Sequence, residues 1–192
     1  MHLNSRLLFD RYAKAHFPAN SRVLEVGPGF FPSEFELAVN DRSVKWETID
    51  ICESPKLTYS TADPYKFPIA DQAYDVVFAA NVLEHVPAIW RWIAELVRVC
   101  KIGGRVITIN PVNWAYHAYP VDCWRAYPEG MKALYQDAGL DVEMSKAESL
   151  ETRWDRLNFH GAKLVVKAIV NVNNTGEPFV PLDTISIGRR VR

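Results

Sequence analysis

The 192 residues of the chain fit one domain of common size, long enough to bury a hydrophobic core. With 22 basic and 23 acidic side chains, the formal net charge of -1 gives no electrostatic argument for nucleic acid or an anionic membrane as partner. The first residues lack the apolar core of a secretory signal, and no run approaches the roughly 18 apolar residues of a membrane span. We therefore expect a cytoplasmic protein that binds neither nucleic acid nor membrane.

Strand and helix signals alternate along the first half of the chain. Apolar residues at helical spacing over 5–17, closed by Pro18, predict an amphipathic helix that covers the domain. Strands are predicted at 22–26, 44–51 and 57–61. Between the first two, a helix is predicted to begin at Pro32, with acidic residues in its first turn.

The second half continues this alternation. A near-continuous apolar run from Tyr74 predicts a strand buried on both faces, and the helix after it is expected to stop at Gly103 and Gly104. A buried strand at 105–111, a helix over 129–139 and strands at 141–147 and 163–172 follow. The order predicts a parallel, doubly wound sheet with a final antiparallel hairpin at one edge. Residues 171–192 are expected to form an irregular tail.

A glycine turn follows the first predicted strand, in VLEVGPG (23–29). Gly27 and Gly29 allow a sharp turn and let a ligand approach main-chain N–H groups. Asp50 ends the second strand about 20 residues later, at the spacing of the acid that holds ribose hydroxyls in nucleoside-binding sheets. The pattern therefore favours a nucleoside ligand at the carboxyl ends of the strands.

Two residues indicate which class of nucleoside the turn would bind, a nicotinamide dinucleotide or another nucleoside. The dinucleotide fingerprint needs a third glycine where this chain has Pro32. Glu25, just before the turn, would repel a pyrophosphate and would suit a cationic ligand group. These residues disfavour a nicotinamide oxidoreductase.

Four segments in order carry a resemblance to a known family: VLEVGPG, TIDI, TADPYKFPIADQAYDVVFAANVLEHV and CKIGGRVITINP. Over residues 22–111 the chain resembles class I S-adenosylmethionine-dependent methyltransferases of the type-11-like superfamily. Phe31 departs from the third glycine that is common in the family's first loop. The resemblance implies an α/β fold: a Rossmann-like, doubly wound, mostly parallel seven-stranded sheet with a C-terminal antiparallel hairpin and an N-terminal covering helix.

The resemblance also implies S-adenosylmethionine as cofactor and assigns residues to its parts. Around the methionine portion it places Glu25, Gly27, Pro28 and Gly29, and near the sulfonium it places Asn81. Asp50 would bind the ribose. Ile51 would lie beside the adenine, and Asp63 would face the adenine amino group. Each polar member also has a structural alternative. Asp50 is a candidate loop cap, Asp63 a turn initiator before Pro64, and Asn81 a helix N-cap.

The acceptor side is expected in the polar and aromatic segment 112–130. His117 is the first candidate base, oriented by Asp122, and His85 is a second candidate base or a structural histidine. Tyr119, Trp124 and Arg125 are candidate acceptor-binding residues, although Arg125 is equally suited to a structural ion pair with Asp122. The segment resembles one in small methyltransferases linked to glycan and polysaccharide biosynthesis.

These observations lead to one expected organisation and activity. Residues 1–170 form a single domain, with a helix at 1–18, a cofactor-binding core at 22–111 and an acceptor-side segment at 112–130, followed by the tail at 171–192. The expected activity is methyl transfer to an oxygen or nitrogen of a small molecule, with no metal site. The alternatives are a protein acceptor or an inactive, cofactor-binding regulatory module. A homodimer is a candidate assembly, because the short second half offers limited acceptor surface.

Overall fold

A seven-stranded sheet organises the chain. The computed structural model describes residues 3–118, 120–152 and 181–192. The strands are β1 (Arg22–Val26), β2 (Lys45–Asp50), β3 (Tyr59–Ser60), β4 (Tyr74–Ala80), β5 (Cys100–Pro111), β6 (Leu140–Glu148) and β7 (Asp183–Arg190). The helices are α1 (Leu3–Leu8), α2 (Glu34–Val39), α3 (Ile89–Val99) and α4 (Pro128–Asp137), with short helical turns at Phe9–Ala13, Lys14–His16 and Leu83–His85.

The strand order across the sheet is β3-β2-β1-β4-β5-β7-β6. β1 pairs in parallel with β2 and β4, and β4 pairs in parallel with β5. β7 lies between β5 and β6 and is antiparallel to both. This confirms the doubly wound, mostly parallel α/β sheet with antiparallel C-terminal strands. The order reverses between β1 and β4, which is where open α/β sheets bind their ligands.

Apolar side chains cover both faces of the central strands, as their continuous apolar runs predict. On one face Trp92 and Ile93 of α3 pack with Tyr135 of α4. On the other face Phe9 lies 4.8 Å from Phe35 and 5.3 Å from Phe78, measured between ring centroids. The N-terminal helical segment therefore covers the sheet, as predicted.

The α3–β5 boundary differs from the prediction. The helix ends at Val99 and the strand begins at Cys100, before the expected stop at Gly103 and Gly104. Cys100 N–H donates to the carbonyl oxygens of Leu96 and Val97 and so closes the helix, and Arg190 of β7 adds bonds to the carbonyl oxygens of Val97 (2.7 Å) and Cys100 (2.6 Å). A partner so distant in sequence explains why glycine placement alone mislocated this end.

The predicted C-terminal tail is wrong for 183–190. These residues form β7 inside the sheet, so a domain boundary at 170 would separate one strand from the sheet that it completes. The strand predicted at 163–172 lies outside the described residues. Within the described residues, no helix has the length and apolar character needed to cross a membrane.

Candidate functional site

The residues predicted to hold a nucleoside come together at the carboxyl ends of β1, β2 and β4. Val26, the last residue of β1, is paired with Ile49 of β2 on one side and with Ala79 of β4 on the other. The chain therefore leaves all three strands at the same level of the sheet, at the point where the strand order reverses. Gly27, Asp50 and Asn81 each lie at one of these three strand ends.

The glycine turn after β1 requires a glycine at position 27 and is open at Gly29. Gly27 has φ of +72°, and its N–H donates to Ile49 O at 2.9 Å. A Cβ at this position would lie 2.4 Å from Val82 Cγ2, so a larger residue would be strained and crowded. A Cβ at Gly29 would meet no atom within 4 Å, so this part of the turn is open to a ligand.

Glu25 is a buried acid at this turn, with a side chain that is locked in place. Ser33 Oγ donates to Oε1 at 2.9 Å and Trp46 Nε1 donates to Oε2 at 2.7 Å. Burial raises the pKa of Glu25 to about 7. Ser33 also accepts from the N–H groups of Phe35 and Glu36, and so caps α2. Helix α2 thus begins after Ser33 and not at Pro32 as predicted.

A crevice opens between this turn, the start of α2 and the end of β4. Its lining residues are Glu25, Gly27, Gly29, Phe30, Ser33, Glu34, Phe35, Ala80 and Asn81. Four of the predicted cofactor residues are in that set, whereas Pro28 is buried beside it and is not part of the lining. The crevice therefore combines open backbone with a buried carboxyl group.

Asn81 presents an amide to the crevice at the end of β4. Its backbone has φ of +55°, and its N–H donates to Ile109 O at 2.8 Å. The Ser5 hydroxyl donates to Asn81 Oδ1 at 3.2 Å. Asn81 Nδ2 is buried and has no hydrogen-bond partner among the described residues. A buried amide donor of this kind is suited to an acceptor atom of a ligand.

The nucleoside-side residues lie beyond the crevice lining. Asp50 is half-buried, and its Oδ1 accepts from Cys52 N–H at 3.0 Å. Ile51 is 49% exposed. Asp63 is exposed, and its Oδ1 accepts from Tyr65 N–H at 2.8 Å. Both acids therefore stabilise local turns, as the structural alternatives predicted, and the structure does not bring Asp63 to the crevice lining.

The acceptor-side segment folds back over the helical turn Leu83–His85. His85 Nδ1 lies 2.5 Å from Val121 O, Cys123 N–H donates to Glu84 O at 2.7 Å, and Trp124 Nε1 donates to Val86 O at 3.0 Å. Trp124 also meets Trp90 edge-to-face. Tyr119 lies outside the described residues.

Asp122 is the centre of this segment. Its side chain is 1% exposed and pairs with both terminal nitrogens of Arg125, at 2.5 and 2.7 Å. It also accepts from His117 N–H at 2.8 Å, and these charge-assisted bonds, the Arg125 bonds first, hold the pKa of Asp122 well below its usual range. Arg125 further donates to Trp114 O at 3.2 Å. The geometry favours the structural ion pair over an acceptor contact for Arg125.

His117 lies close to both Asp122 and His85. Its Nδ1 is 3.5 Å from Asp122 Oδ2 and 3.1 Å from Ala115 O. The His117 and His85 rings meet edge-to-face with centroids 5.1 Å apart. The two predicted candidate bases therefore form one cluster.

Glu84 belongs to the same cluster and was missed in the sequence. It is 1% exposed, and both carboxylate oxygens lack a hydrogen-bond partner among the described residues. Burial raises its pKa to about 7, and the charge of Arg125 opposes this shift. A ligand atom from each of Glu84, His85 and His117 lies within 4.8 Å of the other two. No sequence signal marks Glu84, because its burial depends on the fold of the distant acceptor-side segment.

Known proteins share this architecture. Residues 33–108 match a family model described as a methyltransferase domain. An uncharacterized methyltransferase of Mycobacteroides abscessus is 33% identical over 97 residues, which cover 44% of this chain and 38% of that relative. The chain thus spans less than half the length of the curated relatives that it matches.

Solved structures extend the likeness over nearly all of the chain. A SAM-dependent methyltransferase from Archaeoglobus fulgidus has a TM-score of 0.66 at 18% identity, over 97% of this chain and 92% of that one. A phosphoethanolamine N-methyltransferase 2 of Haemonchus contortus, in complex with phosphomonomethylethanolamine and S-adenosylhomocysteine, has a TM-score of 0.65 at 11% identity, over 95% of this chain and 52% of that one. At these identities the structures establish the fold. Taken with the family match over 33–108, they support a class I S-adenosylmethionine-dependent methyltransferase domain in this chain.

Proposed function

We propose that the chain transfers a methyl group from S-adenosylmethionine to an oxygen or nitrogen atom of a small-molecule acceptor. A sugar or glycan precursor is the acceptor class to test first. The observation that carries the proposal is the crevice at the switch point, where an open glycine turn meets a buried carboxyl group and an unpaired buried amide donor. Main-chain groups and acids at this place suit a ligand with both cationic and carboxylate ends.

The residues at the crevice fit the amino-acid end of S-adenosylmethionine. Glu25 has an anionic form that would complement the ammonium group, and Asn81 Nδ2 is a buried donor available to the carboxylate. Gly29 leaves room for a close approach to the backbone. We therefore propose that the amino-acid end of S-adenosylmethionine lies against the turn after β1.

The nucleoside end would continue along the ends of β1 and β2. We propose that Asp50 accepts from the ribose hydroxyls, since a carboxylate can accept from two neighbouring hydroxyls. Ile51 offers an exposed apolar side chain for the adenine face. We propose that Asp63 accepts from the adenine amino group, since a carboxylate has further acceptor sites beside the bond from Tyr65 N–H to Oδ1.

When bound, S-adenosylmethionine supplies an electrophilic methyl group on a positively charged sulfur. The protein's contribution is to hold the acceptor in line with that group and to exclude water. We assign this task to the acceptor-side segment, and its packing on the helical turn just after Asn81 supports the assignment. A neutral amine acceptor needs less help, whereas a hydroxyl acceptor must lose a proton.

Two imidazoles could accept the proton that a hydroxyl acceptor must lose. Nδ1 of His85 and of His117 each face a main-chain carbonyl oxygen, which can only accept a hydrogen bond. In the neutral rings Nδ1 therefore carries the proton and Nε2 keeps a lone pair. His117, with Asp122 behind it, remains the first candidate base, and His85 the second.

Two other functions remain to be tested against this one. A regulatory module would bind the cofactor without turning it over, and a protein methyltransferase would accept a peptide in place of a small molecule. The homodimer and the cytoplasmic location also stay predictions. Gel filtration and cell fractionation test them.

Calorimetric titration with S-adenosylmethionine, S-adenosylhomocysteine and NAD tests the cofactor. We expect both sulfur nucleosides to bind, NAD not to bind, and Asp50→Ala to lose about tenfold or more in affinity through its lost hydrogen bonds to the ribose. Asp137→Ala, an exposed aspartate at the end of α4, is the matched control and should bind like the wild type. Binding of NAD alone would contradict the proposal.

Release of S-adenosylhomocysteine then tests turnover. The acceptors to compare are nucleotide sugars, small phenols and peptides. We expect turnover with a small molecule. Tight cofactor binding with no turnover on any class would support the regulatory module, and turnover on peptides alone would support the protein methyltransferase.

A further inference from the structure

Two histidines and a glutamate converge beside the crevice. Glu84 and His85 end the helical turn after β4, and His117 comes from the acceptor-side segment. One ligand atom from each lies within 4.8 Å of the others. About 30 residues separate His85 from His117, so the chain shows no short metal-binding motif, and the set forms only in the fold.

Each imidazole uses Nδ1 toward a carbonyl oxygen, and within residues 3–118, 120–152 and 181–192 no hydrogen bond occupies either Nε2. His85 Nδ1 faces Val121 O at 2.5 Å, and its Nε2 lies 3.9 Å from Glu84 Oε1. His117 Nδ1 faces Ala115 O at 3.1 Å and Asp122 Oδ2 at 3.5 Å. Metal-binding histidines in proteins are held in this way, with one nitrogen donating to a carbonyl or carboxylate and the other nitrogen binding the ion.

Glu84 supplies an independent sign that something is bound here. It is 1% exposed, and neither of its carboxylate oxygens has a hydrogen-bond partner among the described residues. A buried carboxylate without a partner is costly, and such groups in native proteins usually pair with a charge or ligate a metal. The neighbouring positive charge, on Arg125, is already paired with Asp122 through two short bonds.

We infer that Glu84, His85 and His117 bind one divalent transition-metal ion. A set of two imidazoles and one carboxylate suits Zn²⁺, Co²⁺, Fe²⁺ or Mn²⁺ better than Ca²⁺ or Mg²⁺, which prefer oxygen ligands. Ligand atoms bound to one ion at about 2.0–2.2 Å lie roughly 3–4 Å apart. Small side-chain movements therefore close the set around the ion, and three protein ligands leave coordination positions open.

The ion gives the two histidines a role different from that of a base. A nitrogen that binds a metal has no lone pair left for a proton, whereas a hydroxyl bound to the ion loses its proton to solvent more readily. This role in catalysis rests on the proposed methyl transfer to a hydroxyl. The binding of the ion does not rest on it, and the two are tested separately.

Titration of tag-free wild-type protein with Co²⁺, without cofactor or acceptor, tests the site directly. We expect a visible d–d absorption that saturates at one Co²⁺ per chain and disappears when Zn²⁺ is added in competition. His117→Ala and His85→Ala should each weaken Co²⁺ binding by at least about tenfold. Glu84→Gln, which keeps the shape of the side chain and removes its charge, should also weaken binding.

His16→Ala is the matched control, because His16 lies near Arg105 and Glu143 and away from the cluster. It should bind Co²⁺ like the wild type, and thermal unfolding should show that every variant is folded. Wild-type protein with no cobalt absorption, or His117→Ala binding as tightly as wild type, would overturn the inference. Cobalt binding without methyl transfer would keep the metal site and reject the proposed function.

Discussion

Glu25 links the ionisation of one residue to ligand binding in the crevice. The carboxyl group is 3% exposed, and burial raises its pKa to about 7, even though Ser33 and Trp46 donate to it. A cationic ligand beside it would favour the ionised form and lower that pKa. Binding must therefore expel the proton of Glu25 at any pH below about 7.

We predict that the affinity for S-adenosylhomocysteine rises with pH through neutrality. With a pKa of about 7 in the free protein, Glu25 is ionised in about nine-tenths of molecules at pH 8 and in about one-tenth at pH 6, so the dissociation constant should be about tenfold larger at pH 6. Calorimetry at both pH values measures this. Glu25→Gln cannot ionise and should bind equally at both, and a wild-type affinity independent of pH would contradict the prediction.

Residues at strand ends could be placed from sequence, and buried residues that depend on distant segments could not. Gly27, Asp50 and Asn81 follow recognisable strands, and parallel strands bring their carboxyl ends to one edge. Glu84 is buried, and the distant residues 121–124 fold over its helical turn through bonds such as Cys123 N–H to Glu84 O. Such a contact between distant segments cannot be predicted from the spacing of residues along the chain.

At the scale of elements, helix α2 joins the crevice to the sheet through its cap. Ser33 accepts from the N–H groups of Phe35 and Glu36 and donates to Glu25. One hydroxyl thus fixes both the start of the helix and the buried acid. The sequence predicted the helix, but a serine next to a proline leaves the capping residue ambiguous by one position.

We predict that Ser33→Ala lowers the free energy of unfolding by about 1–2 kcal/mol, because the helix loses its cap. It should also weaken binding of S-adenosylhomocysteine, since the ionised form of Glu25 loses a hydrogen-bond donor. Urea unfolding and calorimetry measure the two effects. The control is Ser60→Ala, an exposed serine of β3 that should change stability by no more than about 0.5 kcal/mol. Equal stability of the two variants would contradict the role of the cap.

At the scale of the whole molecule, alternation of strands and helices was sufficient to predict the doubly wound sheet. The position of the last strand was not predicted, because the weak periodicity of 171–192 indicated an irregular tail. In the structure β7 is inserted between β5 and β6, and six successive residues of it, from Asp183 to Gly188, are buried. The burial of polar residues in β7 follows from its position between β5 and β6, which the local sequence pattern does not show.

We predict that Ile187→Ala costs about 2–5 kcal/mol of stability, because a fully packed side chain is removed from the interior of the sheet. Ile187 is 1% exposed, whereas Ile102 is 56% exposed. Ile102→Ala is therefore the control and should cost less than about 0.5 kcal/mol. Chemical denaturation of both variants measures the difference. An Ile187→Ala variant as stable as the control would contradict the assignment of 183–190 to a buried strand.

The central claim is that the crevice at the ends of β1, β2 and β4 holds the sulfur nucleoside. A crystal structure of the protein with S-adenosylhomocysteine tests it most directly. The account predicts the ribose hydroxyls at the Asp50 carboxylate and the amino-acid tail against the Gly27–Gly29 turn, within hydrogen-bond distance of Asn81. A ligand bound elsewhere, with its ribose away from Asp50 and its tail away from the turn, would contradict the account.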